Sequence, residues 1–291
     1  DGNWFVGLSI QNGRVKDEGS LQLKTALREI VETFNLPMLL TPSQNVLFYD
    51  IPPQHKAKIQ QILTRCGIQS ETEIDTLERY SMACPALPTC GLATTESERI
   101  IPSILERIRV LLVKVGLPDE SFIIRMTGCP NGCARPYLAE LGFVGNGPDL
   151  YQIWLGAAPN QTRLSRPYLE KLHINNLETE FEPIFVYFKQ SRKPDESFGD
   201  FCDRVGFAAL RQFAADYQPS DLSVNGHVET IEPSNGSVAK PKTAGDKNRR
   251  RLSLRPELYT RLQQTASAQG KPISQLAAEI LEAYLQNQTQ T

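Results

Sequence analysis

No stretch of eighteen consecutive apolar residues occurs in this 291-residue sequence, so no segment reads as a helix that crosses a membrane. Histidine is scarce. His55, His173 and His227 share no motif, and each reads as an ordinary surface or core residue, because a metal site needs several convergent ligands. Net charge is also small, at -2, but it is unevenly placed. From residue 240 onward nine Lys or Arg face four Asp or Glu, giving +5, and the rest carries 22 against 29, giving -7. The result is an acidic body with a basic tail, which reads as a solvated linker and tail. The opening lacks the pattern of a secretory leader and begins on Asp1 rather than Met, and Asp1-Gly2-Asn3-Trp4-Phe5 reads as the approach to an internal strand. What remains, 40% apolar and 22% charged over 291 residues, is enough for two or more domains with substantial cores.

Cysteine is more informative. Cys84-Pro85-Ala86-Leu87-Pro88-Thr89-Cys90 and Thr127-Gly128-Cys129-Pro130-Asn131-Gly132-Cys133 form two tight pairs some forty residues apart. Four thiolates are the usual ligand set of a cubane iron-sulfur cluster, and loops stiffened by Pro and opened by Gly suit one. C-x5-C and C-x3-C are not the C-x2-C spacing of zinc ribbons. From spacing alone a cluster, a structural zinc, disulfides and inert thiols all stay open. Cys66 and Cys202 stand apart and read as packing residues.

The residues around these pairs narrow the choice. Met82 to Ala93, followed by Thr95-Glu96-Ser97-Glu98-Arg99, resembles assimilatory sulfite reductase haemoproteins, and Arg125 to Pro136 is similar to that family's second cysteine motif. The likeness runs on through Ala139-Glu140-Leu141-Gly142-Phe143-Val144-Gly145 and Tyr151 to Gly156 as far as Phe198-Gly199-Asp200-Phe201, over roughly residues 1–215. The resemblance implies a siroheme coupled to a 4Fe-4S cluster held by Cys84, Cys90, Cys129 and Cys133. Cys133 would bridge to the siroheme iron, and Asn131 would be a further cofactor contact. It implies six-electron reduction of sulfite to sulfide, with ferredoxin as electron donor, in the cytoplasm, or in the plastid stroma of a photosynthetic eukaryote. Nitrite reductases of the same superfamily usually carry Ser where this chain has Gly132 and lack the Ala134-Arg135-Pro136 that follows Cys133, so sulfite is expected ahead of nitrite. The family protein is about twice this length, with the substrate-binding Arg and Lys mostly in its first half. That half is expected to be missing here.

Read for elements, residues 4–67 give strand, helix, strand, strand, helix: Phe5 to Ile10, a helix capped by Ser20 with Leu23, Leu27, Ile30, Val31 and Phe34 as its stripe, Val46 to Tyr49, and a helix begun by Pro53 and ended by Gly67. Glu96 to Val115 reads as mostly helical, Phe122 to Met126 as a buried strand, and Leu177, Phe181, Ile184, Phe185 and Phe188 as the core stripe of another helix. The expected fold is α+β: a ferredoxin-like half-domain over 1–70, a siroheme and iron-sulfur domain over 71–217, a flexible linker over 218–248, and a small module over 249–286. In the last, a basic strand Arg250 to Pro256 and two amphipathic helices resemble a ribbon-helix-helix, which implies that Arg251, Ser253 and Arg255 face DNA bases. Self-association is the plainer alternative, since so short a unit buries little apolar surface alone.

Overall fold

A computed structural model describes residues 2–218 and Thr265. The expected linker beyond Gln218 and, Thr265 apart, the expected module over 249–286 lie outside the described residues, as do its dimerisation and DNA contacts.

The chain opens with β1 (Trp4–Leu8), the two-residue strands β2 (Asp17–Glu18) and β3 (Leu21–Gln22), and α1 (Leu23–Phe34). Ser20 does not cap α1. Asp17 does the equivalent work, its carboxylate accepting the Thr25 N–H at 3.0 Å and the Thr25 hydroxyl at 2.8 Å. Asn35, in the left-handed region at φ 48°, ends the helix, its N–H donating to Val31 O. β4 (Met38–Leu40), β5 (Val46–Ile51) and, after a 3-10 turn at Pro53–His55, α2 (Lys56–Arg65) follow. The sheet order is β1-β5-β4, all antiparallel. The helices bury one side of it through Ala26, Leu27, Ile30, Ile59, Ile62 and Leu63 against Leu8, Val46, Phe48 and Ile51. Cys66 belongs to this core, as expected of a packing residue. The module nevertheless exposes Trp4, Phe5, Met38, Leu39, Leu40 and Tyr49, with Leu40 at 74%. So many large apolar side chains in the open mark a surface built to be covered.

α3 (Thr76–Arg79), capped by the Asp75 carboxylate on Leu77 N–H at 2.8 Å, leads to β6 (Met82–Ala83) and then, past the first cysteine loop, to α4 (Ile101–Lys114). α4 starts five residues later than its apolar spacing predicts. Thr94 N–H donates to Gly128 O at 2.8 Å, Ser97 Oγ to Met126 O at 2.7 Å, and Glu96 O accepts from Tyr151 Oη at 2.7 Å. Backbone and side-chain groups of residues 94–97 are therefore committed to other segments rather than to a helical turn. β7 (Ile124–Thr127), β8 (Leu141–Gly147), β9 (Leu150–Leu155), β10 (Arg166–His173), α5 (Leu177–Ser191) and α6 (Phe198–Asp216) complete the described chain.

The second sheet runs β10-β9-β8-β7-β6, parallel across β6, β7 and β8 and antiparallel thereafter. Its core joins Ala83, Ile124, Met126, Leu141, Phe143, Tyr151, Ile153 and Leu155 to α4, α5 and α6, with Phe181, Phe185, Phe188, Phe198 and Phe201 stacked between. Cys202 lies fully buried there, and burial pushes its thiol well up from the ordinary range. The two sheets are joined at an edge: the Gln44 carboxamide donates to Ala83 O at 2.9 Å and accepts the Ala83 N–H at 3.3 Å. Arg14 and Asn12 of the first module bond Glu98 of the second.

Candidate functional site

Alternation along β7 sends Ile124 and Met126 into the main core and Arg125 and Thr127 to the opposite face of the sheet. Both cysteine loops grow from strand ends here. Cys84 follows β6, its N–H donating to Met126 O at 3.2 Å, and Gly128 follows β7, its N–H donating to Cys84 Sγ at 3.3 Å. That bond ties the first loop to the residue just before Cys129. Gly128 O in turn accepts from Thr94 N–H, from the Thr94 hydroxyl at 3.1 Å and from Thr95 N–H at 3.3 Å. Forty residues of sequence separation are thus closed by a handful of direct bonds.

The thiols are graded in exposure. Cys84 and Cys129 are buried at 8% each, Cys90 is half-buried, and Cys133 is exposed. Met82, Cys84, Ala86 and Ala134 form a small apolar cluster of their own under the loops. Gly132, at φ +68°, adopts a conformation other residues resist, and a Cβ there would stand 2.7 Å from the Tyr137 ring. Tyr137 donates its hydroxyl to Pro130 O at 2.7 Å and packs edge-on against Trp154. Burial raises its pKa, with Cys129 adding to the rise, and Tyr151, near Cys84, is pushed up to about 12 chiefly by burial. Asn131 is exposed and takes no part in the hydrogen bonds that stitch the loop.

All six cysteines are free thiols, which removes the disulfide reading. Among the described residues no three His, Cys, Asp or Glu side chains gather closely enough to hold one metal ion, so a tetrahedral zinc is a poor fit. A cluster asks for something different, since its four thiolates surround a cube of iron and sulfide rather than a single atom. Two loops knitted side by side, an N–H already aimed at one sulfur, and four cysteines free of disulfides suit that group. His173 Nδ1 accepts the Asn175 N–H, and His55 packs on the Phe34 ring, so neither is turned to the cysteines.

Sequence reasoning quoted two cations, Arg125 and Arg135, within the second cysteine motif but gave their charge no role. Arg125, only 2% exposed, donates to Arg135 O at 3.4 Å and to Gln161 Oε1 at 3.3 Å, while its Nε has no partner, nor has the neighbouring Thr127 hydroxyl. Arg135 donates to Pro42 O at 2.5 Å and to Met82 Sδ at 3.4 Å. An arginine inside an apolar run was the available signal.

Residues 1–66 match the nitrite/sulfite reductase ferredoxin-like half domain. The chain is 53% identical to the ferredoxin sulfite reductase of Synechococcus elongatus over 285 residues, 98% of this chain and 42% of that protein. It is 44% identical to the NADPH sulfite reductase hemoprotein beta-component of Staphylococcus haemolyticus over 74% of its own length and 38% of that protein. The first alignment runs through most of the tail, whereas the NADPH relative aligns over less of the chain. Among solved structures the fold is similar to the NirA protein of Mycobacterium tuberculosis, at TM-score 0.57 and 23% identity over 71% of this chain and 39% of that one. Dissimilatory sulfite reductase I follows at 0.51 and 11%, over 79% and 74%. These two likenesses concern the fold alone. The chain spans less than half the length of the curated relatives it matches. Its sequence and its half domain together place this chain in the nitrite/sulfite reductase family.

Proposed function

We propose that the protein carrying this chain reduces sulfite to sulfide, taking six electrons from ferredoxin, with residues 1–70 as a half-domain and 71–217 as the cofactor domain. The single observation that carries the cofactor assignment is the bond from Gly128 N–H to Cys84 Sγ, which brings the two cysteine pairs into one site. Cys84, Cys90, Cys129 and Cys133 would hold a 4Fe-4S cluster, and the exposure of Cys133 supports reading it as the ligand that would be shared with a siroheme. Bound together, the two groups would supply one-electron transfer and an iron site for the substrate.

The chain's own residues hold and shield. Gly128 and Thr94 fix the loop spacing, and the amide on Cys84 stabilises a thiolate there. Met82, Ala86 and Ala134 keep water from the buried side. Gly132 is fixed by packing, since any side chain there, a Ser's included, would have to displace the Tyr137 ring.

The test is Cys133→Ser in the holoprotein. The expected result is loss of sulfite reduction together with loss of the magnetic coupling between haem and cluster, and Cys66→Ser should keep both cofactors, since Cys66 lies in the core of the first module. Coupling retained in the Cys133 variant would refute the shared-ligand assignment.

A further inference from the structure

Most arginines of the described residues sit against a carboxylate, as Arg107 does on Glu178, Arg109 on Asp75, Arg163 on Asp200 and Arg204 on Glu196. Arg125 and Arg135 do not. Among the described residues neither has an acidic group within ion-pair distance, and both bond residues that flank the cysteine loops. Arg125 touches the carbonyl of Arg135, whose own N–H donates to Gly132 O between the two ligands of the C-x3-C loop. Arg135 reaches Met82, two residues before Cys84.

A buried, unpaired guanidinium is costly, because leaving water is repaid only by an opposite charge or by good hydrogen bonds. Arg125 has neither. Its two contacts are longer than the usual ~2.9 Å and its Nε is unsatisfied. Burial, and then Arg135, lower its pKa only to about 10, so it remains a cation at neutral pH. At 2% exposure little of it meets solvent, its outermost contact being the exposed Gln161. A compensating charge is available from the thiolates of the C-x3-C loop, to which Arg125 is linked through Arg135.

We propose that Arg125, reinforced by Arg135, is the electrostatic counter-charge of the iron-sulfur cluster and sets its reduction potential. This rests on the four-thiolate reading above. Four thiolates bring more negative charge than the iron-sulfide core cancels, and reduction adds another. A fixed cation in a low-dielectric interior favours the reduced form, and its removal must lower the potential. Arg125 is thus a tuning residue that would act on the cluster through its field rather than as a ligand.

The experiment is a redox titration of the anaerobically prepared holoprotein, followed by the electron paramagnetic resonance of the reduced cluster. Arg125→Met should lower the equilibrium constant for one-electron reduction about tenfold, a shift of ~59 mV to lower potential. Arg125→Lys, which keeps the charge but not the fork, should stay near wild type. Gln161→Glu gives an independent route: Gln161 is exposed and its side chain already bonds Arg125, so a carboxylate there neutralises the cation without opening the core. It should shift the potential in the same direction as Met. If Arg125→Met fails to fold, Gln161→Glu decides alone. An unmoved potential in a cluster-loaded Gln161→Glu or Arg125→Met variant overturns the proposal, and equal shifts for Lys and Met would show that packing, not charge, is responsible. A wild type that binds no cluster defeats the four-thiolate reading, and this proposal with it.

Discussion

Gly128→Ala is the smallest change that should pull the two cysteine loops apart. The added methyl would stand 2.6 Å from Ala86 Cβ, 2.7 Å from Thr95 O and 3.1 Å from Ala93 Cβ. None of these atoms ends a flexible side chain, so relief requires backbone movement. Its torsion angle is not among the positive ones, which makes the cost steric rather than conformational. Overpacking of this kind costs about 1–3 kcal/mol. For a unit of this size each kcal/mol lowers Tm by roughly 2–4 °C, so a fall of about 5 °C is expected. The movement should also lengthen the bonds from Gly128 N–H to Cys84 Sγ and from Thr94 N–H to Gly128 O, and so weaken the site more than the fold. Differential scanning calorimetry, with iron and acid-labile sulfide counted after anaerobic reconstitution, measures both effects. Gly91→Ala is the matched control, one residue past Cys90 with nothing within 4 Å of its added methyl, and should change Tm by less than about 2 °C. A Gly128→Ala protein that melts with wild type and takes up full iron would refute the claim that the two loops are locked through this glycine.

Two further outcomes are expected. The 291-residue chain, reconstituted with iron, sulfide and siroheme, should assemble a cluster but hold no siroheme and turn over no sulfite, because it spans under half of its relatives and leaves the Trp4, Phe5 and Leu40 surface uncovered; stoichiometric siroheme in absorption spectra would contradict this. Asp75 is held below the ordinary carboxylate range chiefly by its hydrogen bonds from Arg109. A depressed folded pKa gives stability that is present above the unfolded value near ~4 and is lost as pH falls through the folded value. Asp75→Asn should therefore lose stability at neutral pH and narrow the difference from wild type as the pH drops from 5 to 3, which urea unfolding at each pH would detect; a gap that stays constant would count against the pairing.

The cysteine loops were legible because their spacing is local and their neighbours, such as Pro130 and Gly132, are unusual. The helices α1, α2 and α5 were legible from apolar stripes such as Leu23, Leu27 and Ile30, which went to the core as their spacing required. What was hidden depended on distant chain. Asp17 rather than Ser20 holds the start of α1, because a carboxylate reaches back across the short β2–β3 turn. Residues 96–100 have helical spacing, yet carbonyls of β7 and its loop claim their neighbours first. Arg125 looked like an interruption in an apolar strand, since only the folded sheet shows it buried against the Arg135 carbonyl with no acid within ion-pair distance. Thr127 entered only as part of the second cysteine motif, and Tyr137 carried no pattern at all.

The Gln44 carboxamide, bonded to both backbone groups of Ala83, stands where another strand of the second sheet would be. A bare strand margin is a template for pairing with other chains, and this one leads straight to Cys84. One side chain from the first module therefore covers the margin beside the first cysteine loop: a protein whose small module has come loose would expose, in the same event, a sticky margin and the chain that leads to Cys84.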